Sequence, residues 1–180
     1  MTTTTRTAAP AAAPAAWDLR DALWALQATA PPARDRCLLC TVGRTRLALP
    51  MAQLRGVEPY EVVTPVPHVP AWVLGVTNVR GTVVGVVDLA GFLGLGEGPL
   101  PGGRLLVCGA GTRLVAFAVA AARDVLDYAP DTLIPVAASG PATAGGRGER
   151  FVTALVPTEE SAVPLLDLER LLGDDELVTG

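Results

Sequence analysis

The stretch Gly75–Gly96, GVTNVRGTVVGVVDLAGFLGLG, decides the fold. Val73 to Val76 and Thr82 to Val87 are rich in β-branched residues, which suit a pleated surface. Between them lies Asn78-Val79-Arg80-Gly81, where Gly81 can take the positive φ that a tight connection needs. Val84 and Val86 point one way along the second strand, Val83 and Val87 the other. With both faces apolar, this strand is expected to be buried on both sides. Asp88 then has the chemistry of a helix N-cap, Leu89, Phe92 and Leu93 form an apolar face, and Gly94 is a stop. Arg80 is the one strong charge in the turn.

Working outward, the chain repeats itself. CTVGRTRLALPMAQLRGVEPY, ending at Tyr60, parallels CGAGTRLVAFAVAAARDVLDY, ending at Tyr128. Arg55, Val57 and Tyr60 match Arg123, Val125 and Tyr128 at one constant offset. Trp72, Val73 and Val76 match Phe151, Val152 and Leu155 at a second offset, which also carries VVDLAGFLG onto LLDLERLLG. A Gly- and Ala-rich insertion near residues 137–148, read as a flexible loop, absorbs the difference. The simplest account is two similar β units, residues 36–96 and 104–173, each of about five short strands and a short helix. Short apolar strands of this kind favour closed barrels, which bury both faces and remove most edges. Whether strands pass between the units is not legible. The Asn78–Gly81 turn falls opposite Pro157-Thr158-Glu159-Glu160 in the second unit, so the scaffold repeats and the turn does not.

The flanks are simpler. Residues 1–33 form a low-complexity Thr/Ala/Pro tail with a short amphipathic helix expected over 17–28, and residues 175–180 are read as a C-terminal tail. Half of the 180 residues are hydrophobic, enough for a packed core. The net charge is −4, and all 14 basic residues are Arg. This balance shows no basic patch for nucleic acid. No apolar run reaches the roughly 18 residues of a membrane span, and the N-terminus is a poor secretory signal, so a cytoplasmic protein without membrane insertion is expected. Cys37, Cys40 and Cys108 are an odd set, and Cys37 and Cys40 lie in a strand pattern that points them to opposite faces. They are read as small buried hydrophobes, with no metal and no cofactor. No phosphate-binding loop of the GxxxxGK type is present, none of the HExxH or GxSxG patterns occurs, and Asp88 and Asp167 repeat as helix caps, so no enzyme is expected.

GVTNVRGTVVGVVDLAGFLGL resembles the signature region of the CheW-like family of bacterial chemosensory adaptors. LALPMAQLRGVEPYEVVTPVPHVPAWVLGV and the closing AVPLLDLERLLGDDEL resemble that family as well, in the same order, over residues 36–174. The resemblance implies an all-β fold with short helices, two SH3-like five-stranded barrels on a shared core within residues 34–174. It implies a non-catalytic adaptor between the cytoplasmic tips of chemoreceptors and the CheW-like regulatory module of a CheA-type histidine kinase, recruited to membrane-associated receptor arrays. The alternative is an unrelated small β-barrel binding module for nucleic acid or a small ligand. Arg80, Asn78, Gly81, Val57 and Glu58 are the candidate partner-binding residues. Gly56 stands where the family usually has Glu, the natural partner for the Arg of the turn. Arg80 is then left to pair with Glu58 or Glu61, or to stay free for a partner protein. Gly85 replaces a usual Pro, and Ala120-Ala121 a usual Val-Asp.

Overall fold

The structure is a computed structural model that describes residues 34–179 except 97, 99–101, 111–112 and 137–146. The expected helix over 17–28 and most of the expected loop near 137–148 lie outside the described residues. Eleven strands follow in order: β1 Asp35–Val42, β2 Thr45–Pro50, β3 Leu54–Pro59, β4 Val73–Val79, β5 Thr82–Asp88, β6 Arg104–Ala110, β7 Arg113–Val119, β8 Ala121–Tyr128, β9 Ile134–Pro135, β10 Val152–Pro157 and β11 Ala162–Leu166. Among the described residues three short α-helices, α1 Leu89–Leu93, α2 Leu168–Leu172 and α3 Asp175–Thr179, and three 3-10 turns, Met51–Gln53, Pro130–Thr132 and Arg147–Phe151, accompany the strands. Residues 175–180, read from the sequence as a tail, thus include a helical turn. Asp174 precedes it, and its carboxylate accepts the Glu176 N–H at 3.1 Å, as a capping residue does.

The two repeats exchange strands. One sheet runs β8-β1-β2-β11-β10-β9 and the other β3-β6-β7-β5-β4. Each sheet takes the leading hairpin of one repeat and the trailing strands of the other. The pairings match at every level. Leu38 faces Val125 across β1/β8 as Leu106 faces Val57 across β6/β3, and both ladders slip by one residue at the same place. The parallel contact of β5 with β7 is repeated by β11 with β2. Asp88 N donates to Trp72 O at 2.7 Å, and Asp167 N donates to Phe151 O at 2.7 Å. The second offset read from the sequence is therefore a structural equivalence. It sets a short helix after each aspartate, and the two caps differ in reach: Asp88 accepts from Ala90 N, two residues on, and Asp167 from Arg170 N, three residues on.

Strand alternation sorts the core into three parts. Cys37, Leu39, Ala48 and Val163 fill one barrel, and Val84, Val86, Leu105 and Ala116 fill the other. Leu38, Cys40, Val42, Leu106, Cys108 and Phe117 point the opposite way into a shared core with α1 and α2. Cys37 and Cys40 do fall on opposite faces. Burial pushes the Cys108 thiol up to about 12 and raises Cys40 further, so neither forms a thiolate near neutrality. Strand β5 departs from expectation. Val84, Val86 and Val87 are buried, but Val83 is 69% exposed. The face that carries Val83, Gly85 and Val87 meets the shared core only at its Val87 end.

Candidate functional site

The β4–β5 connection is tighter than the sequence suggests. Val79 pairs with Thr82, which leaves a two-residue turn of Arg80 and Gly81. Both have positive φ, 52° and 88°. This matches the twist of a primed hairpin turn, which favours Asn-Gly over a long side chain at its first position. Asn78 stabilises the turn from outside: its Oδ1 accepts from Gly81 N at 2.7 Å. The left-handed backbone at Arg80 is disfavoured for an L-residue by about 1–2 kcal/mol. A strained arginine at an exposed tip is a pattern that accompanies function.

Arg80 resolves the choice among its expected partners. Its Nη2 donates to Glu58 Oε1 at 2.9 Å, with side-chain exposures of 77% for Arg80 and 28% for Glu58. Strands β3 and β4 are the two edges of their sheet, so the pair spans the gap that the hydrogen-bond ladder leaves open. Deeper in the same gap, Thr64 and Val76 exchange backbone bonds at 2.8 and 2.9 Å. A hollow of about 420 Å³ lies on one side of the ion pair, lined by Glu58, Glu61, Thr64, Thr77 and Asn78 among others. A second, of about 190 Å³, lies on the other side, against Arg55, Gly56, Val107 and Leu114.

Four of the five candidate residues, Arg80, Asn78, Gly81 and Glu58, therefore share one rim. Val57 does not join them. Gly56 and Glu58 pair with Val107 and Leu105, which face the barrel interior, whereas Val57 pairs with Leu106 on the shared-core side and is 40% exposed there. A strand's period of two separates neighbours that the sequence places side by side.

Two features escaped the sequence. Arg55, used only to align the repeats, lines the smaller hollow beside Arg80. Arg147 lies 4.9 Å from the ring centre of Trp72 and 5.2 Å from that of Phe92, and its Nη1 reaches Glu176 Oε2 at 2.6 Å. It joins the aromatic pair of the first repeat to α3, with Arg150 held by Asp174 at 2.7 Å beside it. No local motif flags a cation–π contact between residues so far apart in sequence.

Comparison with known proteins bears on this geometry. The family model described as CheW-like domain matches residues 36–176. The chain belongs to the CheW-like domain family. Curated relatives of this CheW-like chain include "Chemotaxis protein CheW" of Klebsiella aerogenes, 27% identical over 78% of this chain and 82% of that protein. "Probable chemotaxis protein CheW" of Rhizobium etli is 26% identical over 79% of this chain and 90% of that protein. "Protein FrzA" of Myxococcus xanthus is 39% identical over 46% of this chain and 52% of that protein. The crystal structure of the scaffolding protein TtCheW from Thermoanaerobacter tengcongensis superimposes with a TM-score of 0.68. It is 18% identical, over 82% of this chain and 94% of that one. That likeness is one of fold, and the fold of the CheW-like domain is the pair of SH3-like barrels described above. Among the described residues no helix is long and apolar enough to cross a membrane.

Proposed function

We propose that this CheW-like protein is a non-catalytic adaptor that couples chemoreceptors to a CheA-type histidine kinase. The match to the CheW-like domain over residues 36–176 carries the reading, and the chemotaxis proteins among its relatives support it. The partners are the cytoplasmic receptor tip and the CheW-like regulatory module of the kinase, which places the protein in the cytoplasm at receptor arrays. The working module is residues 34–174, with 1–33 as an appended tail. Arg80 is the principal contact, with Asn78 and Gly81 holding its turn, Glu58 orienting its guanidinium and Val57 adding a separate apolar contact.

A protein without chemistry of its own changes kinase output only through different affinities for the kinase's states, and linkage makes that effect reciprocal with receptor state. An exposed planar fork on a rigid barrel suits a weak, orientation-sensitive interface. Reconstitution tests the reading. The purified protein is mixed with the kinase and receptor fragments of the same genome, and co-sedimentation and autophosphorylation are followed. Receptor-dependent change in kinase activity is expected, and no binding to either partner overturns the reading. Salt-dependent binding to oligonucleotides instead would favour the unrelated binding module.

A further inference from the structure

The two barrels carry equivalent hollows whose charges are balanced differently. In the first, β8 supplies Arg123 and Asp124, and Arg46 and Glu160 join them around a hollow of about 350 Å³ that residues 39–41 of β1 also line. Arg46 Nη1 donates to Glu160 Oε2 at 2.8 Å. There are two cations and two carboxylates. In the second, β3 supplies Arg55 and Gly56, equivalent to Arg123 and Asp124 by strand register. The turn adds Arg80, and among the described residues Glu58 is the only carboxylate lining the hollow.

The missing carboxylate has a definite position. A Cβ on Gly56 would lie 3.6 Å from Glu58 Oε1 and 3.9 Å from Arg80 Nη2, ordinary contact distances, at a backbone φ open to any residue. Gly56 is therefore not required by sterics, and its effect is to leave space beside the guanidinium that donates to Glu58. The ladder slips by one residue here in both barrels, and such a bulge re-aims the side chains that follow it. Val107 and Leu114 line the hollow alongside these charges.

We propose that this hollow is a receptor for one carboxylate side chain of a partner protein, seated where Asp124 stands in the other barrel and bound by Arg80 and Arg55. The partner is the kinase's CheW-like module, an identification that rests on the coupling reading above. The hollow and its ligand class do not depend on it. A carboxylate accepts two parallel bonds from an arginine fork, and Val107 and Leu114 offer an apolar wall for the stem of the side chain that carries it. Gly56 and Arg55 thereby become specificity residues of the interface.

Gly56→Asp supplies the carboxylate internally. It should leave the melting temperature unchanged or raised, lower affinity for the kinase module at least about ten-fold, and flatten the salt dependence of the remaining binding. Undiminished binding by a folded Gly56→Asp variant overturns the inference while the coupling reading stands. If the wild type does not bind the module, the coupling reading fails, and a second measurement judges the hollow alone. The probe is N-acetyl-glutamate amide, titrated against the full chain with the arginine Nε–Hε signals observed by NMR. A saturable shift of Arg80 that is absent in Gly56→Asp is expected, and no shift at Arg80 in the wild type overturns the inference whatever the kinase does.

Discussion

Arg80→Asn separates the two things Arg80 does. The residue holds a left-handed backbone, with φ of 52°, followed by Gly81 at 88°. Asn is among the residues that tolerate that region, and Asn-Gly is the preferred pair for a primed two-residue hairpin turn. Relief of the backbone should return about 1 kcal/mol or somewhat more of the roughly 1–2 kcal/mol that a left-handed L-residue costs. Against this stands the ion pair with Glu58. The Arg80 side chain is 77% exposed, so water and salt screen the pair, and its loss costs roughly 0.2–1 kcal/mol. Strain relief is at least equal to the electrostatic loss. The variant is therefore expected to match or slightly exceed the wild type in stability, within about 1 kcal/mol. For a folded region of this size that is a melting shift of no more than about 4 °C. Binding to the kinase module should nevertheless fall, because the fork is gone. Calorimetry and a binding titration on the same sample make the test. A melting temperature lowered by more than about 8 °C would mean that Arg80 holds the barrel closed, and the assignment of an interface role would be wrong.

Other consequences follow from the exchanged strands and the caps. Phe92 is 1% exposed and lies 5.8 Å from the ring of Trp72 and 5.9 Å from that of Phe151, so Phe92→Ala should cost roughly 3–5 kcal/mol. Because both sheets contain strands of both repeats, that loss should lower hydrogen-exchange protection equally at Leu49 in one sheet and Leu106 in the other; unchanged protection at Leu49 would show that the barrels unfold separately. Burial raises the pKa of Asp88, against backbone hydrogen bonds from Gly91 and Ala90 that lower it, so stability should be fullest below the ordinary carboxylate range and fall as pH rises through the shifted value. Asp88→Asn keeps an acceptor for Ala90 N and should lack that decline, and parallel pH profiles for the two proteins would refute the assignment. At Gly75 a Cβ would lie 2.0 Å from Thr64 O, with φ at 139°, so Gly75→Ala should break the Thr64–Val76 bridge and cost about 3 kcal/mol by chemical denaturation; a loss under 1 kcal/mol would contradict this geometry.

Local and repeating features were legible from the residues alone. Val-rich alternation marked β4 and β5, Asp88 and Asp167 marked the two helix starts, and the offset that matches Trp72 with Phe151 also matches the aspartates whose N–H groups these residues accept in the structure. Cys37 and Cys40 were sorted to opposite faces by period alone. These depend on φ/ψ preference and on side-chain spacing along one strand, which sequence order contains. What needed the tertiary structure involves segments that sequence order keeps apart. The exchange of strands puts β8 beside β1 and β3 beside β6, and a duplicated chain reads the same whether its strands pair within a repeat or across repeats. Val83 follows the buried pattern but lies where its face no longer meets the shared core. Glu58 and Glu61 were equal partners for Arg80 until the two sheet edges came together around the turn. Arg147 meets Trp72 only because the turn that leads into β10 of the second repeat packs beside α1 of the first. Propensity and period act over a few residues and are written in the sequence, whereas register between distant strands is set by which faces bury the most apolar surface together, and that is settled only when the chain closes on itself.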